Sequence, residues 1–87
     1  MSLNFPNTSR SFLPSRRAVQ FWGHDDALEI SFFVTEDALR RIEPKTQGDE
    51  DGMLKAFDSN RAAIYKLAAR AYSHSRAGSY ELTAKSF

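Results

Sequence analysis

The densest group of chemically capable side chains is the run from Tyr72 to Arg76, which contains a tyrosine, two serines, a histidine and an arginine. A serine and a histidine could act as nucleophile and general base if the hydroxyl lies within hydrogen-bonding distance of the imidazole. Neighbouring side chains on a helix point about 100° apart, so neither Ser73 nor Ser75 is well placed against His74. We expect this run to be the end of a helix, not an active site.

A second candidate is His24-Asp25-Asp26, because an imidazole and two carboxylates can bind a divalent cation. Consecutive residues of a turn seldom converge on one ion, so we expect a solvated turn instead. The chain has no cysteine, no glycine-rich phosphate loop and no nucleophile elbow. The sequence therefore predicts a protein that is not an enzyme, with no metal and no cofactor.

The stretch RRAVQFWGHDDALEISFFVT has the pattern of a β-hairpin, because its apolar residues alternate on both sides of a turn. Glycine and aspartate favour tight turns, so we place the turn at Gly23 to Asp26. The alternation assigns six residues to the core side of the sheet: Val19, Phe21, Leu28, Ile30, Phe32 and Val34.

The opposite side of this hairpin, called the outer face below, carries two large rings where a half-buried sheet should be polar. Its residues are Gln20, Trp22, Glu29, Ser31 and Phe33. One interpretation is that the N-terminal arm folds over the rings with Leu3, Phe5 and Phe12. The other is that the rings form an interface or a ligand surface.

Two helices are predicted after the hairpin. Thr35 is a good N-cap for a short helix, which Pro44 ends. A polar loop then leads to a long helix with one apolar stripe, formed by Met53, Phe57, Ile64, Leu67, Ala68 and Ala71. Asn60 interrupts the stripe, and we expect its amide to be hydrogen-bonded. Gly78 should end the helix with a positive φ, and a third strand should follow.

These elements predict one α+β domain over residues 1–87, in which a small antiparallel sheet of three to four strands carries one short and one long helix on one face. The predicted segments are an N-terminal arm at 1–15, the hairpin at 16–35, the short helix at 36–43, the long helix at 50–75 and a C-terminal strand at 79–84.

Composition suggests a cytoplasmic protein without a membrane segment, since no apolar run is long enough to span a bilayer and there is no cysteine. The net charge of +1 is unevenly distributed: +3 over residues 1–23, −6 over 24–58 and +4 over 59–87. This order permits a basic face, and it also permits compensation within the fold.

The functional hypothesis from these residues is a module for protein interaction or self-association, with an unknown protein or a second copy as partner. Its candidate surface contains Trp22, Phe33, Arg16, Arg17 and Gln20. The alternative is weak binding of single-stranded nucleic acid, with the tryptophan stacking on bases and the two arginines contacting phosphates.

Four segments together resemble a family of small bacterial proteins, the domain of unknown function DUF1488: RRAVQFWG, ALEISFFVTEDALRR, FDSNRAAI, and AYS followed by YELTAKSF. The resemblance covers nearly the whole chain and implies a compact α+β domain that is bacterial and cytoplasmic. The resemblance assigns no activity and no cofactor to this chain. The positions that match the family pattern include Arg17, Phe21, Trp22, Arg61, Tyr72, Tyr80 and Thr83. In that pattern an aspartate precedes the last phenylalanine, whereas this chain has Ser86 there.

Overall fold

A computed structural model of the chain describes residues 3–74, apart from the side chain of His74, and residues 77–86. Five strands and three helices follow one another in this part of the chain, and a 3-10 turn over Ala84–Ser86 comes last. The elements are β1 (Leu3–Asn4), β2 (Arg10–Leu13), β3 (Ala18–Asp25), β4 (Leu28–Thr35), α1 (Glu36–Ile42), α2 (Glu50–Ser59), α3 (Arg61–His74) and β5 (Ser79–Leu82).

The sheet confirms the predicted α+β class, with helices packed on a small, mostly antiparallel sheet. Strands β3 and β4 form the antiparallel hairpin at its centre, and both β1 and β2 pair with the free edge of β3. Two details differ from the prediction: the sheet has five strands, and β5 runs parallel to β4. The parallel pairing arises because the three helices carry the chain back across the sheet before β5 begins.

The N-terminal arm is part of the sheet and does not cover the outer face. Phe12 is paired with Val19 on the core side. The ring of Phe5 stacks on Tyr65 of α3, with 4.1 Å between ring centres. Leu3 also packs against the core. The interpretation in which these residues shield Trp22 and Phe33 is therefore wrong, because all three side chains pack against the core on the helical side of the sheet.

An ion-pair network anchors the arm to the helices. Arg10 of β2 donates two hydrogen bonds to the carboxylate of Asp58, at 3.0 and 2.9 Å. Arg61 donates a third to the same carboxylate, at 2.9 Å. Hydrogen bonding from Arg10 lowers the pKa of Asp58 more than its burial raises it. This network joins β2, α2 and α3 at one point.

The predicted long helix is two helices that meet at Asn60. The backbone N–H of Asn60 donates to Phe57 and its carbonyl accepts from Ile64, so it ends α2 and begins α3. Its side-chain amide donates to the Ala56 carbonyl at 2.8 Å and to the Glu43 carboxylate at 3.1 Å. The prediction of a hydrogen-bonded amide is confirmed, and its backbone role explains the break.

The core lies between the sheet and the helices, on one side of the sheet only. Five of the six predicted core residues of the hairpin are buried, and the helices cover them with residues of the predicted stripe such as Met53, Phe57 and Ile64. The exception is Leu28, which is 57% exposed. It lies opposite Asp25 at the tip of the hairpin, beyond the buried part of the sheet.

Two glycines have roles other than those expected. The hairpin turns at residues 26 and 27, where Asp26 adopts a φ of 56°. Gly23 lies within β3, and a Cβ there would come within 3.0 Å of Leu3 Cδ1 and 3.1 Å of Phe5 Cε1. Close approach of the arm therefore requires this glycine. Gly78 does not have the positive φ predicted for it, since no glycine in the described residues does.

Candidate interaction surface

The outer face consists of successive cross-strand pairs in the β3–β4 ladder. Gln20 lies opposite Phe33, Trp22 opposite Ser31, and His24 opposite Glu29. Directly paired residues share a face of the sheet, so these three rows lie on the side away from the core. Gln20, Trp22 and Phe33 are half-buried on this face. The buried residues of the three helices lie in the core, on the other side of the sheet. Large rings thus remain partly open to solvent on this face.

Arg16 adds a cation to one end of the outer face. Its guanidinium carbon lies 3.8 Å from the centre of the Phe33 ring, a cation–π geometry. The same guanidinium is 3.5 Å from the Glu81 carboxylate of β5. The side chain of Arg16 is still 43% exposed. The structure therefore brings three of the predicted surface residues, Arg16, Gln20 and Phe33, into one neighbourhood beside Trp22.

Arg17 makes its contacts away from this surface. Its backbone has a φ of 46°, in the left-handed region. Its guanidinium donates to the Glu36 carboxylate at 2.6 Å and to the carbonyl of Gly48 at 2.8 Å. Hydrogen bonding to Glu36 is the main cause of a raised pKa at Arg17, and it lowers the pKa of Glu36. Arg17 thus joins the start of β3 to α1 and to the loop before α2.

The opposite end of the outer face carries His24 and Glu29. The imidazole Nε2 lies 3.7 Å from the Glu29 carboxylate, whose side chain is 55% exposed. Glu29 was predicted to lie on this face, and the alternation of β3 places His24 there too, but neither was among the predicted interaction residues. The outer face therefore has a cation on a ring at one end and an exposed carboxylate at the other.

Among the described residues, the side chains of three catalytic and metal-binding candidates, His24, Asp25 and Ser73, make contacts in different places. His24 and Asp25 are consecutive residues of β3, so their side chains leave opposite faces of the sheet. Asp25 accepts a hydrogen bond from the buried Tyr72 hydroxyl at 2.6 Å, and the hydroxyl of Ser73 donates to the Arg70 carbonyl. Ser75, Arg76 and the His74 side chain lie outside the described residues. Within the described residues, no three His, Cys, Asp or Glu side chains are grouped to hold a metal.

Two further concave regions lie near the helices. A polar cleft of about 360 Å³ lies between α1 and α2, where Lys45, Asp49, Asp51 and Lys55 are among its lining residues. A second cleft of about 380 Å³ lies at the hairpin tip, beside Asp25, Leu28 and Tyr72. Both are open to solvent.

Comparison with known proteins identifies the fold and gives no activity. The model of the family described as "Protein of unknown function (DUF1488)" matches residues 3–83. A 1.60 Å crystal structure of a protein of unknown function from that family, from Shewanella loihica PV-4, superposes with a TM-score of 0.81. The two sequences are 14% identical, and the match covers 93% of this chain and 91% of that chain. At this identity the likeness shows the fold alone.

Among curated proteins, none matches the chain. In the portion that the structure describes, no helix combines the length and the apolar character needed to cross a bilayer.

Proposed function

This chain belongs to DUF1488, a family of proteins of unknown function, and we propose that it is a non-enzymatic module that binds a protein chain through the outer face of its sheet. The observation that carries this proposal is the position of Trp22 and Phe33. Both rings lie on the side of the sheet opposite the core, and both are only half-buried. A partner that covers them would supply the second layer that a sheet face with apolar rings requires.

The residue types of this surface support a protein partner. Tryptophan and arginine are enriched among the residues that dominate binding energy in protein interfaces. Trp22 lies in the middle row of the outer face, and Arg16 lies at its edge on the Phe33 ring. A central ring with a polar rim is the usual arrangement of such an interface.

The charges near the rings favour protein over nucleic acid. Each cation considered for phosphate binding has a carboxylate beside it: Arg16 has Glu81, and Arg17 has Glu36. A single strand of nucleic acid would have to compete with these carboxylates, and it gains affinity from uncompensated cations. Mixed charge around an apolar centre suits a protein surface better.

Site-specific photocrosslinking tests the proposal directly. We would place p-benzoylphenylalanine at Gln20 on the outer face, and at exposed Ala62 on α3 as the matched control, in the native host. The proposal predicts crosslinks to protein from position 20 that are absent from position 62. Equal protein crosslinking from both positions, or crosslinks from position 20 to nucleic acid only, would overturn it.

A further inference from the structure

We infer that the partner of the outer face is a second copy of this chain, packed face to face around a two-fold axis that runs across the strands through the Trp22 row. This inference rests on the proposed function and names the occupant of its surface. It follows from the register of the β3–β4 ladder and from the positions of two charges.

The three open rows of the outer face are evenly spaced around Trp22, since the fourth pair on this side, Ala18 opposite Thr35, is closed off by the full burial of Ala18. Each row lies two residues from the next, about 7 Å along the strands. The Trp22 row therefore lies midway between the Phe33 row and the Glu29 row. Rotation by 180° about an axis that crosses the strands at the middle row places each strand over the same strand of the second copy. The same rotation brings the Phe33 row of one copy over the Glu29 row of the other. Trp22 then meets Trp22 of the second copy, and Phe33 lies over Glu29 of the second copy.

The charges select this orientation. Arg16 lies on the Phe33 ring, 3.5 Å from Glu81 and with its side chain 43% exposed, so the exchange adds Glu29 of the second copy as a second carboxylate beside its guanidinium. The Glu29 side chain is 55% exposed and has only His24 as an ion-pair partner in the described residues. An axis parallel to the strands would keep like ends together, and Arg16 would approach Arg16 of the second copy. The first orientation adds an opposite charge to each Arg16, which then lies between Glu81 of its own chain and Glu29 of the other copy, whereas the second brings two arginines together.

The size of the face predicts a weak, reversible dimer. Four strands about 4.8 Å apart and three rows of two residues, at about 3.3 Å per residue, give a face of about 20 Å by about 20 Å. This is about 400 Å² per copy, half of the roughly 800 Å² per partner of a standard stable interface. We therefore expect a dissociation constant in the micromolar range or above, so the measurement must reach high protein concentration.

Sedimentation velocity from about 5 µM to about 1 mM tests the dimer through a charge swap. Arg16→Glu and Glu29→Arg each turn both ion pairs into repulsive contacts, and we expect either to weaken association about tenfold. Mixed in equal amounts, the two variants restore both pairs in a heterodimer and regain association. Lys55→Glu, an exposed charge reversal on α2, should associate like the original chain.

Three results would overturn the inference: a monomer at all concentrations, single variants that associate like the original chain, or a mixture that associates no better than its components. Glu29→Arg guards against a folding artefact, because it leaves the stacking of Arg16 on Phe33 intact. A monomer whose position 20 still crosslinks to another protein would refute the second copy and leave the proposed function standing. Absence of all protein crosslinks from that position would refute both.

Discussion

Replacement of Gly23 by alanine tests whether the N-terminal arm lies in the sheet. A Cβ at this position would come within 3.0 Å of Leu3 Cδ1 and 3.1 Å of both Phe5 Cε1 and Phe32 Cε2. Phe32 is fully buried and stacked between Phe21 and Tyr80, so it has little room to move. The added methyl group must displace the arm or strain the core.

Overpacking of this kind costs about 1–3 kcal/mol. Alanine also restricts the unfolded chain more than glycine does, and this stabilises the folded state by about 0.4–1 kcal/mol. We therefore expect Gly23→Ala to lower the free energy of unfolding by about 1–2 kcal/mol, since the two effects oppose each other. Urea unfolding monitored by circular dichroism would show the loss as a midpoint lowered by about 1 M.

Gly78→Ala is the matched control, because a Cβ at Gly78 meets no atom within 4 Å. We expect this variant to be as stable as the original chain or up to about 1 kcal/mol more stable. The double variant Leu3→Ala/Gly23→Ala isolates the contact, since removal of the Leu3 side chain should relieve about 1 kcal/mol of the Gly23→Ala cost. A Gly23→Ala variant as stable as Gly78→Ala, with no coupling to Leu3, would refute the docked arm.

Three further substitutions test contacts elsewhere in the fold. Tyr72→Phe removes the hydroxyl that donates to Asp25 and should cost about 1–2 kcal/mol of unfolding free energy in urea; an unchanged midpoint would show that this bond does not stabilise the fold. Thr35→Ala removes the N-cap of α1 and should cost about 1 kcal/mol, whereas Thr35→Ser should retain most of it. The pKa of Asp58 is lowered in the folded state, so the unfolded chain binds the proton first and stability must fall as the pH drops below about 4. Asp58→Asn should lower the free energy of unfolding by about 0.5–1 kcal/mol at pH 7, a small loss because the Asp58 side chain is 41% exposed. The loss should be smaller at pH 3, and an equal loss at both pH values would contradict the ion pair.

The elements that the sequence predicts well are those with strong local signals. Alternation over eight residues specifies each hairpin strand, and Thr35 with two acidic residues after it specifies the start of α1. The apolar stripe of α2 and α3 correctly gives five buried residues, whereas its sixth, Ala71, is only half-buried, and the buried Ala56 and Tyr72 were missed. These signals depend on side chains within one turn or one strand pair, so they are visible in a single sequence.

The features that escape prediction depend on distant pairing. Strands β1 and β2 have two and four residues, too few for alternation to be distinctive, and they form only because β3 offers a free edge. The helix break at Asn60 is hidden because Phe57 and Ile64, on either side of it, keep the spacing of one continuous helix, so Asn60 looks like a single polar residue within the stripe. The parallel direction of β5 depends on the end of the sheet to which the three helices return the chain, not on the sequence of the strand.

The candidate surface was predictable in part. Alternation alone places Trp22 and Phe33 on the face opposite the core, and the structure places them there. The different positions of Arg16 and Arg17 could not be predicted, since they depend on the left-handed backbone of Arg17. That conformation lets the Arg17 guanidinium reach Glu36 while Arg16 lies on Phe33.

Acrylamide quenching of Trp22, the only tryptophan in the chain, tests most directly whether the outer face is an open binding surface. At about 2 µM protein, we expect a quenching constant between those of a buried indole and of the urea-unfolded chain, because Trp22 is half-buried. At about 500 µM the constant should fall as a second copy covers the ring. A constant as low as that of a buried indole at both concentrations would mean that the face is already covered within one chain, and would contradict the account.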